Sequence, residues 1–253
     1  MILRVTNSLS SPFTNQSLNK TSFPTNSPVW APVNLKPSTG QPSKNKNIAA
    51  FAKSANSNMA DKFKQTALLV IDMQNDFVLE DGLMRVNGGK AIIPNVIKTV
   101  EVARQRDILV IWVVREHDPQ GRDVELYRRH YYSAGKVPPV AKGTTGAELV
   151  DGLAIKEEDY KLVKTRFSAF MNTNLHSLLQ TEGIKNLVFA GVQTPNCIRQ
   201  TVFDAVALDY QDVIVVVDAT AAATPEIHSA NIIDMKNIGV ATPTLQEWCN
   251  TDA

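Results

Sequence analysis

Cys197, Asp72 and Lys164 are the residues of this chain whose types and positions could do chemistry together. Cys197 stands at the start of a helical pattern in "LVFAGVQTPNCIRQTVFDA", just past its apolar run. Asp72 closes "TALLVID" and Lys164 closes "YKLVK". A carboxylate can take a thiol proton, the thiolate can attack a carbonyl carbon, and an ammonium offsets the charge that develops. Each residue also has an ordinary reading: the Asp as a turn or cap residue, the Lys as a solvated strand end, the Cys as a small buried hydrophobe. The chain has only two cysteines, Cys197 and Cys249, so a structural disulfide is a further reading of the thiol.

The local pattern favours a nucleophile over a disulfide. Thr194 has the type of an N-cap and Pro195 that of a first helical residue, which puts Cys197 in the first turn. Ile198, Val202, Ala205 and Val206 then form a buried stripe. Unpaired N–H groups at a helix start favour negative charge, and so would the Lys164 ammonium. Both predict a thiol pKa below its free value of about 8.5.

The elements that must position these groups alternate. "TALLVIDM", "ILVIWVV", "YKLVKT", "NLVFAGV", "DVIVVVDAT" and "GVAT" read as strands. Between them lie "IIPNVIKTVEVARQR", "TNLHSLLQTEG", the segment from Pro195, and "TPEIHSANIIDMKNIG", with helical spacing. Continuous apolar runs suit strands covered on both faces. The fold class expected is therefore α/β: a three-layer αβα domain around a six-stranded, mostly parallel sheet. In such sheets ligands bind beyond the carboxyl ends of the strands, which is where all three candidate residues fall.

Bulk composition narrows the function. At 253 residues, 43% hydrophobic and 20% charged, the chain is ordinary for a globular protein. The first 60 residues hold six basic residues and no acid, which leaves 20 basic against 25 acidic residues, a net −5, for the rest. That sign offers no footprint for nucleic acid. No apolar stretch approaches the roughly 20 residues that span a bilayer. Residues 1–60, rich in Ser, Asn, Thr and Pro, read as a leader before a single domain at 61–253. One reading is a disordered tail, the other an organelle transit peptide; scarce Arg favours a plastid. A cytoplasmic product starting at Met59 is the alternative.

"LLVIDMQNDF", "KTRFSAFMNTNL" and "AGVQTPNCIRQTVFDA", in that order, resemble the isochorismatase-like cysteine hydrolases. That family includes nicotinamidases, N-carbamoylsarcosine amidase and ureidoacrylate amidohydrolases. The likeness extends from about Thr66 to Trp248 and is marked toward plant members labelled probable inactive nicotinamidases. The resemblance implies a Rossmann-like six-stranded sheet, a homo-oligomer, a small-molecule substrate and an Asp72–Lys164–Cys197 triad. It implies a cis peptide between Val192 and Gln193, aiming the Gln193 N–H at an oxyanion alongside the Cys197 N–H. The reaction expected is hydrolysis of a small amide, ureido or N-carbamoyl C–N bond through a thioester, with no cofactor. The alternatives are a catalytically silent binding or scaffold protein and an isochorismatase-type vinyl ether hydrolase; the latter does not need the cysteine.

The substrate end is less specific. Metal-containing nicotinamidases carry an Asp-x-His pair just past the second strand. Here "VVREHDPQGRD" puts Glu116 and Asp118 roughly at that pair, with His117 between, and a solvated loop without metal is expected. Arg115 and Arg166 offer forked donors for a substrate carboxylate, or salt bridges with neighbouring acids. Gln74 and Phe77 would line the pocket by the same resemblance. His130, His176 and His228 read as surface or structural residues.

Overall fold

A computed structural model describes residues 59–251; nearly all of the leader assigned to residues 1–60 lies outside them. After a short helix, α1 (residues 59–64), the chain runs into β1 (Thr66–Ile71), every residue of which is buried. The order continues α2 (Asn75–Val78), α3 (Ile93–Gln105), β2 (Leu109–Arg115), β3 (Tyr160–Lys164) and α4 (Leu175–Thr181). Then follow β4 (Asn186–Val192), α5 (Arg199–Ala207), β5 (Asp212–Ala221), α6 (Pro225–Asn237) and α7 (Leu245–Cys249).

The five strands form one parallel sheet in the order β3-β2-β1-β4-β5. The chain builds outward from β1 to β3 on one side, then returns to place β4 on the other. The reversal between β1 and β4 opens a crevice at their carboxyl ends. Asp72 directly follows β1, and Cys197 lies in the turn after β4.

The expected sixth strand is reduced to a single bridge between Ala241 and Ile214. Ala241 exchanges backbone hydrogen bonds with Val213 and Val215, and Val217 donates to the Pro243 carbonyl at 2.9 Å. Pro243 has no N–H to return, so the ladder stops there. The sheet is five-stranded for this reason.

Strand periodicity splits the core into two layers. Leu68, Val70, Val110, Trp112, Val188 and Ala190 pack with α3 and α7 on one face. Ala67, Leu69, Ile71, Ile111, Val113, Leu187 and Phe189 pack with α4, α5 and α6 on the other. Each fully buried Leu, Ile or Val adds about 1.5–3 kcal/mol relative to exposure, so this double layer fixes which residues turn inward. Capping sharpens the last two helices. Thr224 accepts from the Ile227 N–H ahead of Pro225, and Thr244 and Glu247 form a capping box.

Candidate active site

Period-2 alternation carries two polar side chains, Arg115 and Lys164, onto the α4–α6 face at the carboxyl ends of neighbouring strands. Arg115 continues the parity of Ile111 and Val113, and Lys164 that of Leu162. Asp72 departs from the strand: it takes φ +53°, a left-handed conformation that Asp tolerates better than most residues. Its backbone N–H still bonds the Val113 carbonyl at 2.9 Å. Across the crevice Gly191 has φ +111°, and a Cβ there would come within 2.1 Å of the Ile71 carbonyl oxygen. Only glycine lets β4 approach the chain so closely just before Asp72.

Cys197 sits in a π turn, Thr194–Ile198, rather than in the first turn of a regular helix; α5 begins two residues later. The Ile198 N–H reaches back five residues to the Gln193 carbonyl at 3.3 Å. Before the turn, the Val192–Gln193 peptide bond is cis. Thr201 donates to the Cys197 carbonyl at 2.6 Å and accepts from the Ala169 N–H at 3.0 Å. It ties the Cys197 turn to the loop after β3. Thr194 pairs with His228 Nδ1 on α6 at 2.8 Å.

The three candidate groups meet. Lys164 Nζ lies 2.8 Å from Asp72 Oδ2, 3.3 Å from Cys197 Sγ and 3.2 Å from the Arg166 carbonyl. An ammonium has three protons, and these three acceptors hold it in one place. Asp72 and Lys164 are each 1% exposed, and Cys197 is buried. Asp72 Oδ1 has no hydrogen-bond partner. Both cysteines are free thiols, which removes the disulfide reading.

The thiol is not depressed as its place beyond β4 suggested. Burial pushes Cys197 up, and so does the Asp72 charge beside it; Lys164 and Arg115 oppose them without prevailing. A sulfur withdrawn from water beside a carboxylate holds its proton more tightly, and this outweighs the neighbouring cations. The thiol, pushed toward its neutral form, lies beside a carboxylate whose Oδ1 has no hydrogen-bond partner.

At the end of β2 the acidic residues and their neighbours face opposite ways. Glu116 and Asp118 point away from Cys197 and pair with Lys161 and Arg122. The residues facing inward are Arg115 and His117, 0% and 1% exposed. His117 Nδ1 lies 3.1 Å from Asp123 Oδ1, and its Nε2 is 3.3 Å from Arg115 Nη1. Burial, followed by the Arg115 charge, lowers the His117 pKa. A neutral ring donating to Asp123 and accepting from Arg115 satisfies both contacts. With both ring nitrogens occupied and a guanidinium alongside, the donor set does not fit a divalent cation. Among the described residues no cluster of three His, Cys, Asp or Glu could hold one.

The isochorismatase domain matches residues 66–247. The chain belongs to the isochorismatase family. Over 191 residues it is 75% identical to an Arabidopsis thaliana protein named "probable inactive nicotinamidase", an alignment covering 75% of this chain and 97% of that one. It is 30% identical over 208 residues to the ureidoacrylate amidohydrolase of Agrobacterium fabrum, covering 74% of this chain and 90% of the relative. The crystal structure of an isochorismatase family protein from Desulfovibrio vulgaris superposes with a TM-score of 0.71 at 42% identity, covering 73% and 96% of the two chains. The family's members include hydrolases, and its α/β fold is the one described above.

Within this isochorismatase domain, the other expected binding residues sit differently. Gln74 is 0% exposed and spends its whole amide on backbone. Its Nε2 donates to the Arg115 and Ala147 carbonyls at 2.8 and 2.7 Å, and its Oε1 accepts from the Arg115 N–H at 2.7 Å. It is a clamp between the ends of β1 and β2, with no donor left for a ligand. Phe77 packs with Met73, Val78 and Val86 in the core on the opposite face of the sheet from Cys197. Arg166 gives Nη1 to the Asp123 and Thr165 carbonyls at 2.6 and 2.8 Å and makes no ion pair among the described residues. His130 Nδ1 pairs with the Tyr127 carbonyl, and His176 Nδ1 with the Tyr210 hydroxyl.

Sequence reasoning missed Glu125. It lies outside any periodic segment, yet its Oε1 accepts from Arg115 Nη1 at 2.8 Å, and its Oε2 lies 3.3 Å from Arg128 Nε. Arg115 and Arg128 both stack on the Phe167 ring at 5.5 Å. The parity of β2 could have flagged Arg115 and His117 over Glu116 and Asp118. No local signal marks Glu125.

Proposed function

We propose that this chain is a cysteine hydrolase acting on the C–N bond of a small amide, ureido or N-carbamoyl compound. The observation that carries the reading is a single buried ammonium within hydrogen-bonding distance of both Asp72 and Cys197. The Asp72 carboxylate, whose Oδ1 has no hydrogen-bond partner, takes the thiol proton. The Cys197 sulfur attacks the substrate carbonyl, and the tetrahedral oxyanion lies against the Gln193 and Cys197 N–H groups. Losing one such donor typically costs about 3–4 kcal/mol. The intermediate collapses as Asp72 hands its proton to the departing nitrogen, leaving a thioester on Cys197. Asp72 then takes a proton from water, whose oxygen attacks the thioester carbon; the acid leaves and the thiol is restored. Lys164 faces the negative charge at each stage.

The raised thiol suits this order of events. Burial and the Asp72 charge raise the thiol, which fits removal of its proton by Asp72 as the sulfur attacks, a general-base route. A ureido or N-carbamoyl substrate is favoured by the 30% identity to a ureidoacrylate amidohydrolase. The test is ammonia release from a panel of amides, ureido acids and N-carbamoyl compounds, compared with Cys197→Ala and Cys197→Ser. Turnover confined to the parent protein supports the reading, and a Cys197→Ala protein with full activity on a genuine substrate defeats it.

A catalytically silent binding protein is the second reading, favoured by the name of the Arabidopsis relative and by the near-complete burial of the site. Ammonia release from none of the panel, with Cys197→Ala still binding one of its compounds as tightly as the parent, selects it. For the leader we propose a plastid transit peptide, supported by its acid-free, Ser-rich composition. Native protein whose N-terminal sequence retains residue 10 or 20 would rule it out.

A further inference from the structure

We propose that Arg115 is a catalytic residue of this site, a second fixed cation on the Cys197 sulfur, and that Glu125 sets how much of its charge the sulfur feels. The inference deepens the hydrolase reading and rests on Cys197 as the nucleophile. It replaces the expectation that Arg115 anchors a substrate carboxylate.

Arg115 is 0% exposed, so its guanidinium cannot swing into water. Its Nη1 is held by Glu125 Oε1 at 2.8 Å, by the Thr165 carbonyl at 3.4 Å and against His117 Nε2 at 3.3 Å. The Phe167 ring covers it at 5.5 Å. What remains is directed elsewhere. Nη2 lies 3.9 Å from Cys197 Sγ, and Nε has no hydrogen-bond partner. A long, flexible side chain is thus fixed with one edge on a carboxylate and its other nitrogen on the thiol.

The charge movement during the reaction gives this geometry its meaning. Before attack, the negative charge sits on Asp72 beside Lys164. When the proton passes to Asp72, the charge moves to a sulfur that faces Lys164 at 3.3 Å and Arg115 at 3.9 Å. A cation directed at the sulfur favours the reacting form over the resting thiol, which is the condition for lowering a barrier. The titratable groups around the sulfur are Asp72 just past β1, Arg115 from β2 and Lys164 from β3, with Glu125, His117 and Arg128 behind Arg115. Burial works against the Arg115 charge, but Cys197, Asp72 and Glu125 together hold its pKa above the usual guanidinium value. It stays charged throughout.

Arg115 and His117 are buried at the end of β2 while Glu116 and Asp118 pair with surface cations, so the positive charge on that side of the site is a guanidinium. Glu125 neutralises it in part, so the two residues should act on the sulfur in opposite directions.

The experiment is the rate of iodoacetamide alkylation of Cys197 across pH, in full-length protein carrying Cys249→Ser so that one thiol reports. Arg115→Gln is expected to slow alkylation about tenfold at a pH below the thiol pKa, a one-unit rise. Glu125→Gln is expected to speed it about threefold, and Arg115→Lys to stay within about threefold of the parent, since the charge is kept. With a substrate in hand, Arg115→Gln lowers kcat while KM stays near the parent value. Unmoved alkylation profiles for folded Arg115→Gln and Glu125→Gln overturn the proposal, as does a rise in KM alone, the signature of a carboxylate anchor. If Arg115→Gln does not fold, the directions seen with Glu125→Gln and Arg115→Lys decide the matter. Alkylation needs no substrate. The Arg115 effect can therefore fail while Cys197-dependent hydrolysis stands, and can be read when no substrate turns over.

Discussion

Two arginine–carboxylate pairs lie near strand β2, and they are built to opposite ends. Near the amino end of β3, Asp159 is bound by Arg104, by the Trp112 indole N–H at 2.8 Å and by the Lys156 N–H at 2.9 Å. Arg104 also donates to the Ala154 carbonyl at 3.0 Å. At the carboxyl end, Arg115 meets Glu125 but leaves Nε unpartnered and sets Nη2 against a sulfur. The first pair spends its capacity on the fold. The second keeps capacity back, at the edge of a parallel sheet where ligands bind. Saturated buried pairs hold structure, while unsatisfied ones mark where something else must be met.

The largest effect that would sharpen this contrast comes from removing the sulfur. Cys197→Ala is expected to lower kcat on the order of 10⁴-fold or more, with a thermal midpoint close to the parent. Turnover on the panel compounds and a melting curve check both halves. At the saturated pair the outcome inverts. Asp159→Ala strands Arg104 and the Trp112 N–H, and is expected to cost about 3–5 kcal/mol in urea unfolding with kcat per folded molecule unchanged. Burial opposes the Asp159 charge, but Arg104, the Lys156 N–H and Trp112 hold its carboxyl below the usual range. A depressed carboxyl contributes stability that is present above the unfolded value and lost as pH falls through the folded one. The stability gap between parent and Asp159→Asn should therefore narrow in acid; a gap that widened would refute the assignment.

Smaller shifts test the site itself. Asp72→Asn removes a charge that raises the thiol, so alkylation of Cys197 at neutral pH should quicken by roughly tenfold, although hydrolysis is lost. Lys164→Met should move the same measurement the other way. The smallest effect is expected at the outward pair on the β2 end. Glu116→Gln and Asp118→Asn should leave activity, melting curve and response to a chelator indistinguishable from the parent, because each pairs with a surface lysine or arginine. A chelator that abolished activity in the parent but not in these variants would restore the metal reading.

Much of the fold was legible because its cause is local. The runs "TALLVI", "LVIWVV" and "NLVFAGV" could only be buried strands, and the residues ending them shared one edge by the rules of parallel sheets. The sixth strand was not legible as a failure, because its termination depends on how Pro243 sits against Val217 rather than on the apolar look of "GVAT". The family resemblance implies that Gln74 and Phe77 line the pocket. In the structure one clamps backbone and the other fills the far core. Glu116 and Asp118, expected in a solvated loop, pair with Lys161 and Arg122, while the alternate positions Arg115 and His117 are buried; in a strand one residue of parity is the whole difference between inside and outside.

The sequence by itself determined the alternation of strands and helices, the supply of a thiol, a carboxylate and an ammonium, and their arrival at one end of the sheet. These follow from periodicity and chain order, which neighbouring residues encode. Only the tertiary structure decided the balance of groups around the thiol, the contact of Arg115 with its sulfur and the partnership with Glu125. Each is a sum over groups from segments far apart in the chain, weighted by burial, and no stretch of residues carries that sum.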